Sequence, residues 1–179
     1  ESATEGITVF GFQPREKIEV VQLQAENSLS QALSVTRFVA GTVNSDALTG
    51  TAAGEALGGF YGKYQLTGGM GADAFIFGTK GQFGTAYYDT ITDFSSKELD
   101  KLVLGREAFL GSPRQSLVTV PGKKGLRGMD KRKESFVYDK KSGFLYYNEN
   151  GSLGGWGNGG VFVQLLGAPP ISGNELVIA

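Results

Sequence analysis

The chain has 179 residues and a formal net charge of −1, with 28 glycines, 5 prolines and neither cysteine nor histidine. The two missing residue types exclude disulfides, thiolate or imidazole metal sites, and every nucleophile system that needs a histidine base. With 40% hydrophobic and 11% aromatic residues the chain is too apolar for a disordered glycine linker, and it has no Gly-X-Y period. The glycines therefore predict tight, repeated turns in a folded domain.

In chain order, residues 7–20 (ITVFGFQPREKIEV) echo residues 91–104 (ITDFSSKELDKLVL) once a two-residue gap is allowed. The echo suits either the tail of an earlier module or two related strands flanking a middle region. Residues 27–40 carry Leu29, Leu33, Val35 and Val39 among serines and glutamines, which fits a short helix or one degraded repeat turn. The chain opens at Glu1 with no basic-then-apolar signal region, the expectation for a processed protein or an excised C-terminal piece. No apolar run reaches the roughly 18 residues of a membrane-spanning helix, so no membrane insertion is expected. The near-neutral charge gives no reason to expect nucleic acid as a partner.

Residues 41–76 divide without a gap into four blocks of nine: GTVNSDALT, GTAAGEALG, GFYGKYQLT and GGMGADAFI. Glycine opens every block at 41, 50, 59 and 68. Position eight is always apolar: Leu48, Leu57, Leu66 and Phe75. Position six reads Asp46, Glu55, Tyr64 and Asp73. A fixed short period of this kind predicts stacked supersecondary units. Six residues of each block make a turn and three a short strand, and the position-eight side chains stack inward. Turns alternate sides, so Glu55 and Asp73 share one side and Asp46 and Tyr64 the other.

The block GGMGADAFI resembles the GGxGxDxUx nonapeptide of RTX, or hemolysin-type, calcium-binding repeats. The resemblance implies a parallel β-roll in which calcium sits between stacked loops, held by the Asp carboxylate and by carbonyls of the glycine turns. Carried over onto this chain, Glu55, Gly68, Gly69, Gly71 and Asp73 form one calcium site. A second site near Asp46 is weak or lost, because Tyr64 supplies no carboxylate. The same residues also fit a calcium-free roll that keeps only the glycine scaffold.

Residues 89–104 (DTITDFSSKELDKLVL) resemble the segment after the roll in RTX C-terminal domains, including those of serralysin-type proteases. That resemblance makes Asp89 and Asp93 candidates to complete the last calcium site. The residues themselves read equally well as core (Ile91, Phe94) with Asp93 and Asp100 capping a turn. Lys123, Lys124, Arg127, Lys131, Arg132 and Lys133, beside Asp130, predict a solvated, mobile basic loop. Strands are expected near Phe136–Tyr138 and Phe144–Tyr147, over GVFVQLLG and at the terminal LVIA. Trp156, in the run GSLGGWGNGG, is expected to plug the end of a β core rather than to line a ligand groove.

The expected fold is all-β: a short parallel β-roll of RTX nonapeptides continuing into an antiparallel β-sandwich. The expected organisation is a lead-in over 1–40, the roll over 41–85, and the sandwich over 86–179 with a type I secretion-like terminus. No motif resembles an active site, so no catalysis is expected. The function expected from the resemblance is a secreted, extracellular calcium-binding module that uses type I secretion machinery and folds or rigidifies with calcium. The alternatives are a self-assembling subunit of a surface layer, sheath or filament, and a cell-surface or glycan adhesion module using Trp156 and nearby tyrosines.

Overall fold

The computed structural model describes residues 37–59, 62–78, 83–109 and 116–179, together with the backbone of 21–23 and 33–35. The echo over 7–20 lies outside these described residues. Strand β1 (Val21–Leu23) pairs antiparallel with β2 (Leu33–Val35).

Each nonapeptide block ends in a strand, as an apolar residue flanked by small or polar ones at period two requires. The strands are β3 (Phe38–Ala40), β4 (Ala47–Thr49), β5 (Ala56–Gly58), β6 (Gln65–Thr67) and β7 (Ala74–Phe77). Successive strands go to opposite sheets. β3, β5 and β7 pair in parallel in one, and β4 and β6 pair in parallel in the other. Position eight stays in register, with Leu48 opposite Leu66 and Leu57 opposite Phe75, and all four are buried between the sheets.

The roll is longer than the nine-residue period shows. It starts at Phe38, inside the expected lead-in, which excludes a helix there. It continues past residue 85 through β8 (Asp89–Ile91), parallel to β6, and β9 (Lys101–Leu104), parallel to β7. Ile91 pairs with Leu66 and Leu102 with Phe75, so the inward stack is kept. The connections before β8 and β9 are longer than six residues. That breaks the sequence period while leaving the strand register intact.

Strands β10 (Leu117–Val120), β11 (Phe136–Asp139), β12 (Phe144–Tyr147) and β13 (Gly160–Leu165) extend the sheet of β4 and β6, ordered β10-β11-β12-β13-β8-β6-β4. β12 pairs antiparallel with both β11 and β13, whereas β10 joins β11 and β13 joins β8 in parallel. The last described strand, β14 (Leu176–Ile178), lies parallel to β9 and completes the sheet of β3, β5 and β7, ordered β14-β9-β7-β5-β3. The fold is thus all-β, a parallel roll running into an end of mixed parallel and antiparallel pairing rather than the purely antiparallel sandwich expected.

That end is filled by aromatic rings. Phe109 meets Tyr147 at 5.0 Å, Phe162 at 5.2 Å, Phe83 at 5.7 Å and Phe136 at 6.0 Å between ring centroids. Trp156 is not the plug expected. It is half-buried and stacks on Tyr146 at 5.4 Å, and Tyr146 points away from the core that its neighbours Leu145 and Tyr147 enter. Aromatic rings from five separate segments already fill that core. The basic segment is solvated, as expected. Successive turns and the 3₁₀ helix Met129–Lys131 close it on itself, leaving its lysines and arginines exposed.

Candidate functional site

Position six of each coil falls just before a strand, at the rim of the roll. On one rim, in-register pairing stacks Arg37, Glu55, Asp73 and Asp100, which precede β3, β5, β7 and β9. The carboxylates also link the coils. Asp73 Oδ1 accepts the Glu55 N–H at 2.8 Å, and Asp100 Oδ1 accepts the Asp73 N–H at 3.0 Å. Asp93 enters the same rim from the connection after β8, and its two oxygens accept the N–H groups of Gly68 and Gly69, each at 2.9 Å. The structure therefore brings together Glu55, Gly68, Gly69, Gly71, Asp73 and Asp93.

The glycines here answer to close approach and backbone angle. A Cβ on Gly68 would collide with the Asp73 carboxylate. Gly69 holds φ at 96°, and a Cβ there would strike the Thr51 carbonyl of the coil above.

Asp46 and Asp89 lie on the opposite rim, so Asp89 and Asp93 cannot complete one site together. The reason is topological: strand β8 runs between them and carries the chain from one rim to the other. Asp46 is satisfied within its own turn, accepting the N–H and the hydroxyl of Thr42 at 2.7 Å each. Those bonds hold its carboxyl below the usual range. Between Asp46 and Asp89 sits Tyr64. Its ring is buried against Gly41 and Gly59, its hydroxyl donates to the Thr42 carbonyl, and its N–H donates to Asp89 Oδ1 at 2.8 Å. A phenol fills the space between turns on this rim.

The first rim is electrostatically uneven. Glu55 is buried, yet both its oxygens are engaged: Oε2 by the Thr51 N–H at 2.5 Å, and Oε1 by the Thr51 hydroxyl at 2.9 Å and by Arg37 Nη2 at 2.9 Å. Arg37 thus supplies positive charge where a bound cation would otherwise be needed. Replacing Arg37 with Gln leaves a buried carboxylate short of a charged partner. Because the Arg37 side chain is half-exposed, the expected cost is only about 1–3 kcal/mol, read from denaturant midpoints.

Asp73 is different. It is fully buried, and its Oδ2 has no hydrogen-bond partner among the described residues. Burial pushes its carboxyl up to about 7; Asp100, Glu55 and Asp93 add to the rise, while the Glu55 N–H bond opposes it. Asp100 is pushed up to about 6, chiefly by burial, and Asp89 to about 7 by burial alone. A buried carboxylate oxygen facing further carboxylates has two ways to be satisfied: a proton or a cation. Among the described residues no three acidic side chains converge on one point. Any cation held by Asp73 would thus take most of its remaining ligands from backbone carbonyls, as calcium readily does. The unpartnered Oδ2 of Asp73 fits a hard, oxygen-liganded cation; both oxygens of Asp100 already accept backbone N–H groups, from Asp73 and from Ser95, and those of Glu55 are engaged by Thr51 and Arg37.

Arg37 escaped the sequence reading, and Asp100 entered it only as a turn cap, a role it does fill by accepting the Ser95 N–H at 2.8 Å. Arg37 stands at position six of a block, residues 32–40, that has lost its glycines. Asp100 follows Asp73 by 27 residues rather than 18. The signal it carried was local: DKLVL repeats the acid-x-apolar pattern of DAFIF.

No family model matches the sequence, and no curated protein matches it. Among solved structures, the chain is similar to the solution structure of the AlgE6R3 subunit from the Azotobacter vinelandii mannuronan C5-epimerase. That match has 20% identity, covers 88% of this chain and 86% of that chain, and has a TM-score of 0.41.

Proposed function

We propose that this chain is a secreted, non-catalytic calcium-binding module of the RTX type, which folds or rigidifies on meeting calcium outside the cell. The observation that carries the proposal is the buried, unpartnered Oδ2 of Asp73, on a rim shared with Glu55, Asp93 and Asp100. Within this reading Asp73 supplies a carboxylate oxygen, and the turns containing Gly68, Gly69 and Gly71 supply carbonyls. Calcium supplies the positive charge that Arg37 gives only to Glu55. In calcium-poor cytosol the acids of this rim repel one another and the chain stays competent for type I export.

Calorimetry with calcium and with a chelator tests this. A site filled at about 100 times its dissociation constant adds about 2.7 kcal/mol of stability. For a chain of this size that raises the melting temperature by about 5–10 °C. An identical melting temperature in calcium and in chelator would sink the proposal.

A further inference from the structure

On the rim opposite Asp73, in-register pairing stacks Asp46, Tyr64 and Asp89, which precede β4, β6 and β8. The middle position, held by a carboxylate at Asp73 on the first rim, is here a phenol. At both places the side chain packs beneath the glycine that opens its own block: the Asp73 carboxylate under Gly68, the Tyr64 ring under Gly59. The ring is longer than a carboxylate and reaches further. It also lies against Gly41 of the neighbouring coil, where a Cβ would strike it, and its hydroxyl donates to the Thr42 carbonyl. Tyr64 is only 3% exposed, so the ring and its bond are sealed from water. One side chain thus bridges the turns 41–46 and 59–64. Carbonyls of stacked turns are what a hard cation lying between them would bind.

The acids on either side are already engaged. Asp46 Oδ2 takes the N–H and the hydroxyl of Thr42, and Asp89 Oδ1 takes the Tyr64 N–H. With Tyr64 between them in the stack, they do not occupy neighbouring positions. Among the described residues, no buried carboxylate oxygen of this rim lacks a partner, in contrast to Asp73 Oδ2. We infer that Tyr64 is a fixed replacement for a calcium ion on this rim: its ring fills the space between two turns and makes the bond to a turn carbonyl that the ion would make. A phenol carries no charge at neutral pH, so the rim needs no cation to balance it. The inference rests on the reading of the roll as a calcium module and confines calcium to the acidic rim. The turns that bear Tyr64 are pinned at any calcium concentration, so the ion rigidifies one side of a roll whose other side is already tied.

Calcium titration and thermal melting of the full chain test this. Tyr64→Phe keeps the ring and loses its bond to Thr42. Its melting temperature should fall by about 2–4 °C, equally in calcium and in chelator, with the number of bound calcium ions unchanged. Tyr64→Asp empties the space and sets a third carboxylate between Asp46 and Asp89. It should melt about 10 °C below the wild-type chain in chelator, recover most of that in calcium, and bind one calcium more than the wild type. The gain should persist when Asp73→Asn is added. A wild-type chain that binds no calcium would therefore sink the reading of the acidic rim, while the gain in the double variant still decides this one. A folded Tyr64→Asp that gains no calcium overturns the inference. So does a Tyr64→Phe loss that calcium abolishes, because an ion would then be entering this rim; that comparison decides if Tyr64→Asp does not fold.

Discussion

In the absence of calcium, the melting temperature should fall as the pH rises through about 6 and 7. The folded-state carboxyls of Asp73 and Asp89 are raised to about 7 and that of Asp100 to about 6, from an ordinary 3.8. An acid whose folded pKa is raised binds its proton more tightly in the folded chain than in the unfolded one. Its stabilising contribution is therefore complete below about pH 4 and is lost as pH rises through the folded value. Calcium should reverse the trend, because it replaces the proton on the same oxygens. The calcium-induced rise in melting temperature should accordingly be largest above pH 7 and smallest near pH 5. Asp73→Asn removes the buried charge while Oδ1 can still accept the Glu55 N–H. That variant should be at least as stable as the wild-type chain in chelator at neutral pH. It should show a shallower pH slope and lose most of the calcium response. Calorimetry across this pH range, with and without calcium, measures all three. A wild-type profile in chelator that is flat or rises with pH would contradict the assignment of Asp73 and Asp100 as the stressed pair.

Truncating Phe109 to Ala should cost about 3–5 kcal/mol, the loss typical of a buried aromatic ring. Its ring is the meeting point of Phe83, Phe136, Tyr147 and Phe162, which come from four other segments of the chain. Three of those contacts are edge-to-face, an arrangement that adds to the value of burial. The loss should be the same in calcium and in chelator, because these rings lie at the mixed-pairing end and touch neither rim acid. Denaturant unfolding read by Trp156 fluorescence gives the number. A cost below about 1 kcal/mol would mean that the cluster closes over the missing ring. A cost present only in chelator would mean that it is coupled to the acidic rim.

Local repetition made part of this molecule legible. The glycine that opens each block and the apolar residue at position eight together dictated a parallel roll, and Leu48, Leu57, Leu66 and Phe75 do form its inward stack. Where connections lengthen, the period disappears although the geometry persists. Ile91 and Leu102 occupy the same inward positions as Leu66 and Phe75, but no nine-residue count leads to them. The same failure hid the place of Asp100 on the acidic rim, although its role as a turn cap is legible. Arg37 was hidden by a different cause: its block lost the glycines that advertise a turn, while its strand kept the register.

From sequence alone came the excess of glycine, the nine-residue ladder, the acids at its sixth position and the absence of histidine and cysteine. These restrict any metal chemistry to oxygen ligands. Which acids share a rim was decided only by tertiary structure, because the alternation of turns separates Asp89 from Asp93, four residues apart in sequence, and unites Asp73 with Asp100. Tertiary structure also decided that Glu55 has its cation already in Arg37, that Asp73 Oδ2 has none, and that the Tyr64 hydroxyl meets the Thr42 carbonyl of another coil. Carbonyl oxygens are carried by every residue type, so no residue pattern can announce which of them a side chain will reach. Only the path of the backbone does.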